Sequence, residues 1–224
     1  MSSATIWSLM IRIGILVGIF GLFVFISAGT FDWLEAWACL LLVFIISEAI
    51  VIYFWKYDRE LLQSRGSFNQ TKEKWDIILL VLLTISLFAI PIVAGLDFRF
   101  DLSNIPEIIS IGAFGLVIIG LSIYFLVLKE NTYASKVVEV REDQQVIFTG
   151  PYKYVRHPLY LGGSIAVIGV ALSLGSLYAL VPALIFIILL IIRLILEEKT
   201  LEEELQEYNE YKKKVRYRLI PYLW

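Results

Sequence analysis

The sequence predicts an all-α fold, a polytopic membrane bundle of about six transmembrane helices that ends in a helical hairpin and a cytoplasmic amphipathic helix. Three observations carry that expectation. The 224 residues are 59% hydrophobic and 18% charged, against roughly 45–50% apolar and 25% charged in soluble domains. The apolar residues fall into runs of about 20, the length that crosses a hydrocarbon core about 30 Å thick. The basic residues gather in alternate connections between those runs, the pattern expected when one side of the bilayer is cytoplasm. At this length a single domain is expected: residues 1–224, with four N-terminal spans in 1–128 and the chemistry in 129–224.

The first run, 6–28, is long enough to cross, holds Arg12 and lacks a basic leader region. It reads as a retained transmembrane helix rather than a cleaved signal. Runs 33–55, 76–95 and 107–128 are three further spans. Runs 158–174 and 175–196 form a close pair joined by Ser173, Leu174, Gly175 and Ser176, so they are expected as an antiparallel hairpin. The first of the pair is short and contains Gly162, Gly163 and Gly169. Small residues let helix backbones approach closely in lipid, which favours a packed or shortened span. Trp33, Trp37, Trp55, Tyr57, Trp75, Tyr124 and Tyr178 sit near span ends, as interfacial anchors do.

Orientation follows from charge. Segments 56–75, 129–157 and the tail from 193 hold seventeen of the nineteen Lys and Arg residues, and the intervening connections hold only Arg99. Both termini and the chemistry are therefore expected on the cytoplasmic side. Asp97, Arg99 and Asp101 read as a solvated cap on the opposite side. Beyond the last span, 197–216 is charged, with Leu201, Leu205, Tyr208 and Val215 at helical spacing, so a surface-lying amphipathic helix is expected. Its acidic start and basic end suit a helix dipole.

Some classes are disfavoured. A net charge of −2 with no basic face argues against nucleic acid. The lone Cys39 and lone His157 build no metal site; Cys39 reads as a small buried apolar residue.

Two clusters can carry chemistry. In the first, Gly150-Pro151 forces a turn, and Pro158 suits the first position of a helix. Arg156 and His157 then fall at a helix N-terminus, a place that suits an anionic or carboxylate-bearing ligand. A basic interfacial collar with a satisfied histidine explains the same residues equally well. In the second, Arg193 and Glu197 are four apart on one helix face, with Glu198 beside them, at the membrane surface where ionisable groups are costly. The plainer alternative is a snorkelling arginine in an ion pair. A hairpin would bring the two clusters together.

Taken together, G-P-Y-x-x-x-R-H-P-x-Y-x-G from Gly150 to Gly162, R-x-x-x-E-E-x-x-L from Arg193 to Leu201 and Y-x-x-Y at Tyr208–Tyr211 resemble the isoprenylcysteine carboxyl methyltransferase and phospholipid methyltransferase superfamily. The resemblance runs from about residue 131 to the C-terminus. It implies an S-adenosylmethionine site built by Tyr152, His157, Pro158, Leu159, Tyr160, Glu197 and Glu198. Gln145, Val146, Ile147 and Phe148 would line the adenosine, with Glu139 upstream. Arg193 would hold the acceptor and share the catalytic role with Glu197. The implied partners are a lipophilic or prenylated substrate entering from the bilayer and the membrane lipid itself. The acceptor ranked first is the carboxylate of an isoprenylcysteine-like substrate, the alternative a phospholipid amine. An NADPH-dependent sterol-type reductase ranks lower, because Leu159 and Gly163 replace the asparagine and acid of that motif. A non-catalytic scaffold is also less favoured, because His157, Tyr160, Arg193, Glu197 and Glu198 are present together.

The orientation has a direct check. In a Cys39→Ser background, Lys56→Cys and Lys153→Cys are expected to react with a membrane-impermeant maleimide only from the cytoplasmic face, and Asp101→Cys only from the other. Reaction of all three from one face contradicts the assignment.

Overall fold

Uninterrupted apolar runs with few turn residues leave the backbone one way to satisfy its own hydrogen bonds inside lipid, and that is helix. The computed structural model describes residues 3–66, 74–131, 145–205 and 207–224. They form α1 (Ser3–Ala28), α2 (Leu34–Tyr57), α3 (Arg59–Gly66), α4 (Lys74–Phe100), α5 (Glu107–Glu130), a 3-10 turn (Gly150–Lys153), α6 (Pro158–Ser173), α7 (Leu180–Glu204) and α8 (Tyr208–Lys214). There is no strand among the described residues. Glu139 lies outside them, as do Lys72, Lys136 and Arg141.

Five helices, α1, α2, α4, α5 and α7, are long and apolar enough to cross a membrane. The remaining apolar helix, α6, has 16 residues, so at 1.5 Å per residue it reaches about 24 Å, less than the roughly 30 Å core. It nevertheless runs between the two ends of the bundle. Tyr160, near its start, bonds to Arg193, while Ser176, just past its end, bonds to Asp97 near the end of α4. Helix α6 packs on α5 and α7 and also touches α2 and α4. It is a short helix packed among α2, α4, α5 and α7.

Three glycine contacts set the packing. A Cβ on Gly120 would lie 2.5 Å from the Gly162 carbonyl oxygen, and one on Gly169 would lie 2.7 Å from the Val117 nitrogen, so α5 and α6 meet backbone to backbone. Between α1 and α4, a Cβ on Gly95 would fall 2.0 Å from Ser27 Oγ.

At the end away from Tyr160 the connections are tied through Asp97, which is buried. It accepts from Ser103 N (2.7 Å), Ser103 Oγ (2.6 Å) and Ser176 Oγ. Leu177 N in turn donates to Ser103 Oγ at 3.0 Å. Asp97 is thus the organising acceptor of this cap rather than a solvated group, while Asp101 is exposed.

Helix α7 differs in extent from the sequence expectation. It continues through the acidic run to Glu204 and turns only at Leu205, whose backbone is extended (φ −121, ψ 97). Residues 183–204 contain no Gly or Pro and many strong helix formers, so nothing stops the helix at the membrane surface. The amphipathic part that follows is the short α8, which buries Tyr208 and Tyr211. Glu202, Glu203 and Glu204 therefore fall at a helix C-terminus, where the dipole disfavours acids; Lys212 donates to Glu202 and offsets part of that cost.

Gly95→Leu is expected to lower thermal stability by about 1–3 kcal/mol or more through overpacking, whereas Gly18→Leu, whose Cβ meets nothing within 4 Å, should unfold like the parent. Equal melting of the two variants contradicts the packing described.

Candidate active site

The site begins with the turn before α6. Gly150 adopts φ +55, and a Cβ there would lie 2.9 Å from the Glu130 carboxyl carbon. Only glycine meets both demands without strain. Pro151 leads the 3-10 turn, and His157 stands at the N-cap of α6 with Pro158 at its first position. The backbone N–H groups of Arg156 and His157 do not face an open ligand site. They donate to Tyr217 O and Arg218 O, each at 2.9 Å, and so clamp the C-terminal segment beside the helix start.

Two charged groups of side chains form around this clamp. The first centres on Glu198, which is 2% exposed. Arg156 Nε donates to its Oε1 at 2.6 Å and Arg218 Nε to its Oε2 at 2.8 Å. Tyr208 Oη donates to Oε1 at 3.4 Å, and His157 Nε2 lies 3.3 Å from the same oxygen. Arg156 Nη1 also donates to Val215 O and Arg216 O, both at 2.9 Å. Burial, reinforced by the Glu198 charge, pushes the Tyr208 hydroxyl well above the usual tyrosine range, and burial does the same for Tyr211. Both stay protonated donors through the neutral range.

The second group is a chain. Arg193 Nε donates to Asp76 Oδ1 at 2.7 Å and Arg193 Nη2 to Asp76 Oδ2 at 3.4 Å. Arg193 Nη1 donates to Tyr160 Oη at 2.7 Å, and that hydroxyl donates to Glu197. The four-residue spacing of Arg193 and Glu197 is therefore bridged by Tyr160. Asp76 is fully buried and Arg193 is 7% exposed. The His157 and Tyr160 rings lie parallel, 5.6 Å apart, and join the two groups.

Taken formally, Asp76, Arg193 and Glu197 sum to one negative charge, and Arg156, Arg218 and Glu198 to one positive charge. The site thus has a negative pole and a positive pole on opposite sides of the His157–Tyr160 stack.

The other expected residues fall nearby. Tyr152 Oη accepts from Asn131 Nδ2 at 2.8 Å, and its carbonyl accepts from Tyr211 Oη at 2.9 Å. Pro158 is buried and Leu159 half-buried. Residues 145–148 have no regular structure. Val146 packs on the Tyr208, Tyr211 and Val215 cluster, and Phe148 is exposed beneath Lys214 Nζ at 6.0 Å. No backbone N–H or C=O group of 145–148 is bonded within the described residues. Glu139 lies outside them.

Asp76 and Arg218 were not expected from the sequence. Asp76 had one available signal, an acid opening an otherwise unbroken apolar run. Arg218 had none: it is one of several cations in a basic tail. Among the described residues no group of three or more His, Cys, Asp or Glu is arranged to hold a metal ion.

Residues 108–207 match the family model for phospholipid methyltransferase (PEMT). The match covers 100 of the 224 residues, less than half of the chain. It contains Arg156, His157, Tyr160, Arg193, Glu197 and Glu198, but not Asp76, Tyr208 or Arg218. No curated protein matches the chain.

Removing Asp76 strands a buried guanidinium. Asp76→Ala is expected to cost about 3–5 kcal/mol in unfolding free energy, and Asp76→Ala with Arg193→Met to recover much of that. Additive losses in denaturant titrations would contradict a coupled buried pair.

Proposed function

We propose that the chain transfers a methyl group from S-adenosylmethionine to a lipophilic acceptor drawn from the bilayer, with the site end of the bundle at the cytoplasmic face. The single observation that carries this reading is the meeting of the α6 start with Glu197 and Glu198 of α7 in one two-poled site, in a region matching a methyltransferase family. The basic connections 56–75, 129–157 and the tail favour the cytoplasmic assignment.

The residues present fit the cofactor. Its sulfonium and ammonium groups are cationic and its carboxylate anionic. Glu197, half-buried, takes one hydrogen bond among the described residues, from Tyr160, so it has capacity left for a cation. Arg156 and Arg218 supply positive charge on the other side, beside the unpaired backbone groups of 145–148, which suit the edge of an adenine ring. Glu198 is already engaged by Arg156, Arg218 and Tyr208. Its part is to position the loop and the tail rather than to contact the cofactor. When bound, the cofactor supplies an electrophilic methyl group. The protein's share is alignment and exclusion of water, the effects that dominate an in-line displacement.

On the Asp76–Arg193 pair we propose the phospholipid amine ahead of the carboxylate acceptor that the sequence ranks first. An arginine free to hold a carboxylate favours an isoprenylcysteine-like acceptor. Here Asp76 pairs with it, and among the described residues the acids of this group, Asp76 and Glu197, outnumber its one arginine, which favours a phospholipid amine. An amine sheds a proton when it is methylated, and the free Glu197 oxygen is placed to take it. The carboxylate acceptor stays as the second reading, on the position of Arg193 beside Tyr160 and Glu197.

The test is labelled methyl transfer by the purified chain to phosphatidylethanolamine and to a prenylcysteine analogue. The amine lipid is expected to take the label, His157→Ala to weaken cofactor binding, and Glu197→Gln to lower turnover by roughly 10²–10⁴-fold. Label in the prenylcysteine alone would restore the carboxylate reading. Absence of both cofactor binding and label in any lipid would overturn the proposal.

A further inference from the structure

Below the site, where the tail leaves α8, lies a recess of about 230 Å³. Three cations line it, Lys153, Lys214 and Arg216, together with three tyrosines, Tyr154, Tyr217 and Tyr222, and no acid. The cations are exposed, and no ion pair engages any of them among the described residues. Glu210 of α8 acts on Lys214 from outside the lining; three cations against that one acid still favour an anion, and tyrosine hydroxyls add donors to phosphate oxygens.

The surroundings say which kind of anion. Leu219 is buried against Leu83, Tyr160, Leu190 and Leu194 of the apolar bundle, and Trp224 packs on the same cluster. The turn between them is thus fixed at the inner margin of the apolar layer. Its remaining residues point outward: Ile220 is 42% exposed, Tyr222 90% and Leu223 76%. Tyr222 holds φ +65, a conformation costly for a non-glycine residue. Apolar and aromatic side chains exposed beside a cationic recess match a lipid, with a charged head in the recess and chains along the flank.

We propose that the recess binds the phosphate of an acidic phospholipid in the leaflet at the site end of the bundle. The bound lipid holds the segment from Lys214 to Tyr222 in place. That segment carries the Val215 and Arg216 carbonyls that receive Arg156, and the Tyr217 and Arg218 carbonyls that receive the Arg156 and His157 backbone. Lipid occupancy therefore steadies the positive pole of the site. The binding itself does not depend on the methyl-transfer reading.

The test is lipid binding by the full chain, followed by native mass spectrometry after reconstitution with phosphatidylcholine and with phosphatidylglycerol. A cation near an anionic lipid surface is worth about 1 kcal/mol, or about fivefold. Phosphatidylglycerol is expected to bind tens of times more tightly than phosphatidylcholine. Lys153→Gln, Lys214→Gln and Arg216→Gln should each cost roughly fivefold, and the triple variant should lose the preference while melting like the parent. If the triple variant melts early, the three single variants decide. Millimolar inorganic phosphate is expected to leave the bound lipid in place. Displacement by inorganic phosphate would overturn the lipid assignment in favour of a soluble anion. Equal binding of the two lipids, or a preference unchanged in the single variants, would overturn the site.

Discussion

A carboxylate removed from water costs several kcal/mol unless its oxygens are met by donors and its charge by an opposite charge. Glu198 meets both conditions with groups from three distant stretches: Arg156 before α6, Tyr208 in α8 and Arg218 in the tail. None of these segments has enough apolar surface to fix itself. The turn Gly150–Lys153 has no buried residue, and α8 has seven residues, fewer than an isolated helix needs. Their positions follow from satisfying one buried acid, and the backbone clamp between residues 156–157 and 217–218 follows from theirs. Everything else in the site is arranged around that node.

The second constraint is depth. Arg193 and Asp76 are buried at the site end of long apolar helices, where an unpaired ion is costly. Pairing neutralises them and leaves Tyr160 and Glu197 as the groups that can still respond to a ligand. The short α6 makes this possible. At about 24 Å it is shorter than the helices around it. The close α5–α6 packing at Gly120 and Gly162 holds that short helix in the middle of the bundle.

Local and periodic features of this molecule were legible in the sequence. Spans, the α6–α7 hairpin, Pro158 as a helix start and the convergence of His157 and Tyr160 with Glu197 and Glu198 follow from apolar run length, turn residues and helical spacing. The sequence ends the last apolar run at 196 and expects a separate surface helix after it, whereas α7 continues unbroken through Glu197 to Glu204 and turns at Leu205, because charge does not break a helix. Asp76 and Arg218 were missed for a different reason. Their partners lie 117 and 20 residues away, and such pairings leave no period in a single sequence. The pairing of Arg193, on which the proposed order of acceptors rests, depends on that unseen partner. Glu139 lies outside the described residues and keeps the standing the family resemblance gives it.

The account rests on one shared site at the junction of the 145–160 stretch and the end of α7. A photoreactive S-adenosylhomocysteine analogue, cross-linked to the full chain in bilayers and mapped by peptide mass spectrometry, tests this most directly. The account predicts adducts in both 145–160 and 193–198, competed by S-adenosylmethionine. Adducts confined to one of the two stretches, or lying at the Asp97–Ser176 end of the bundle, would contradict it.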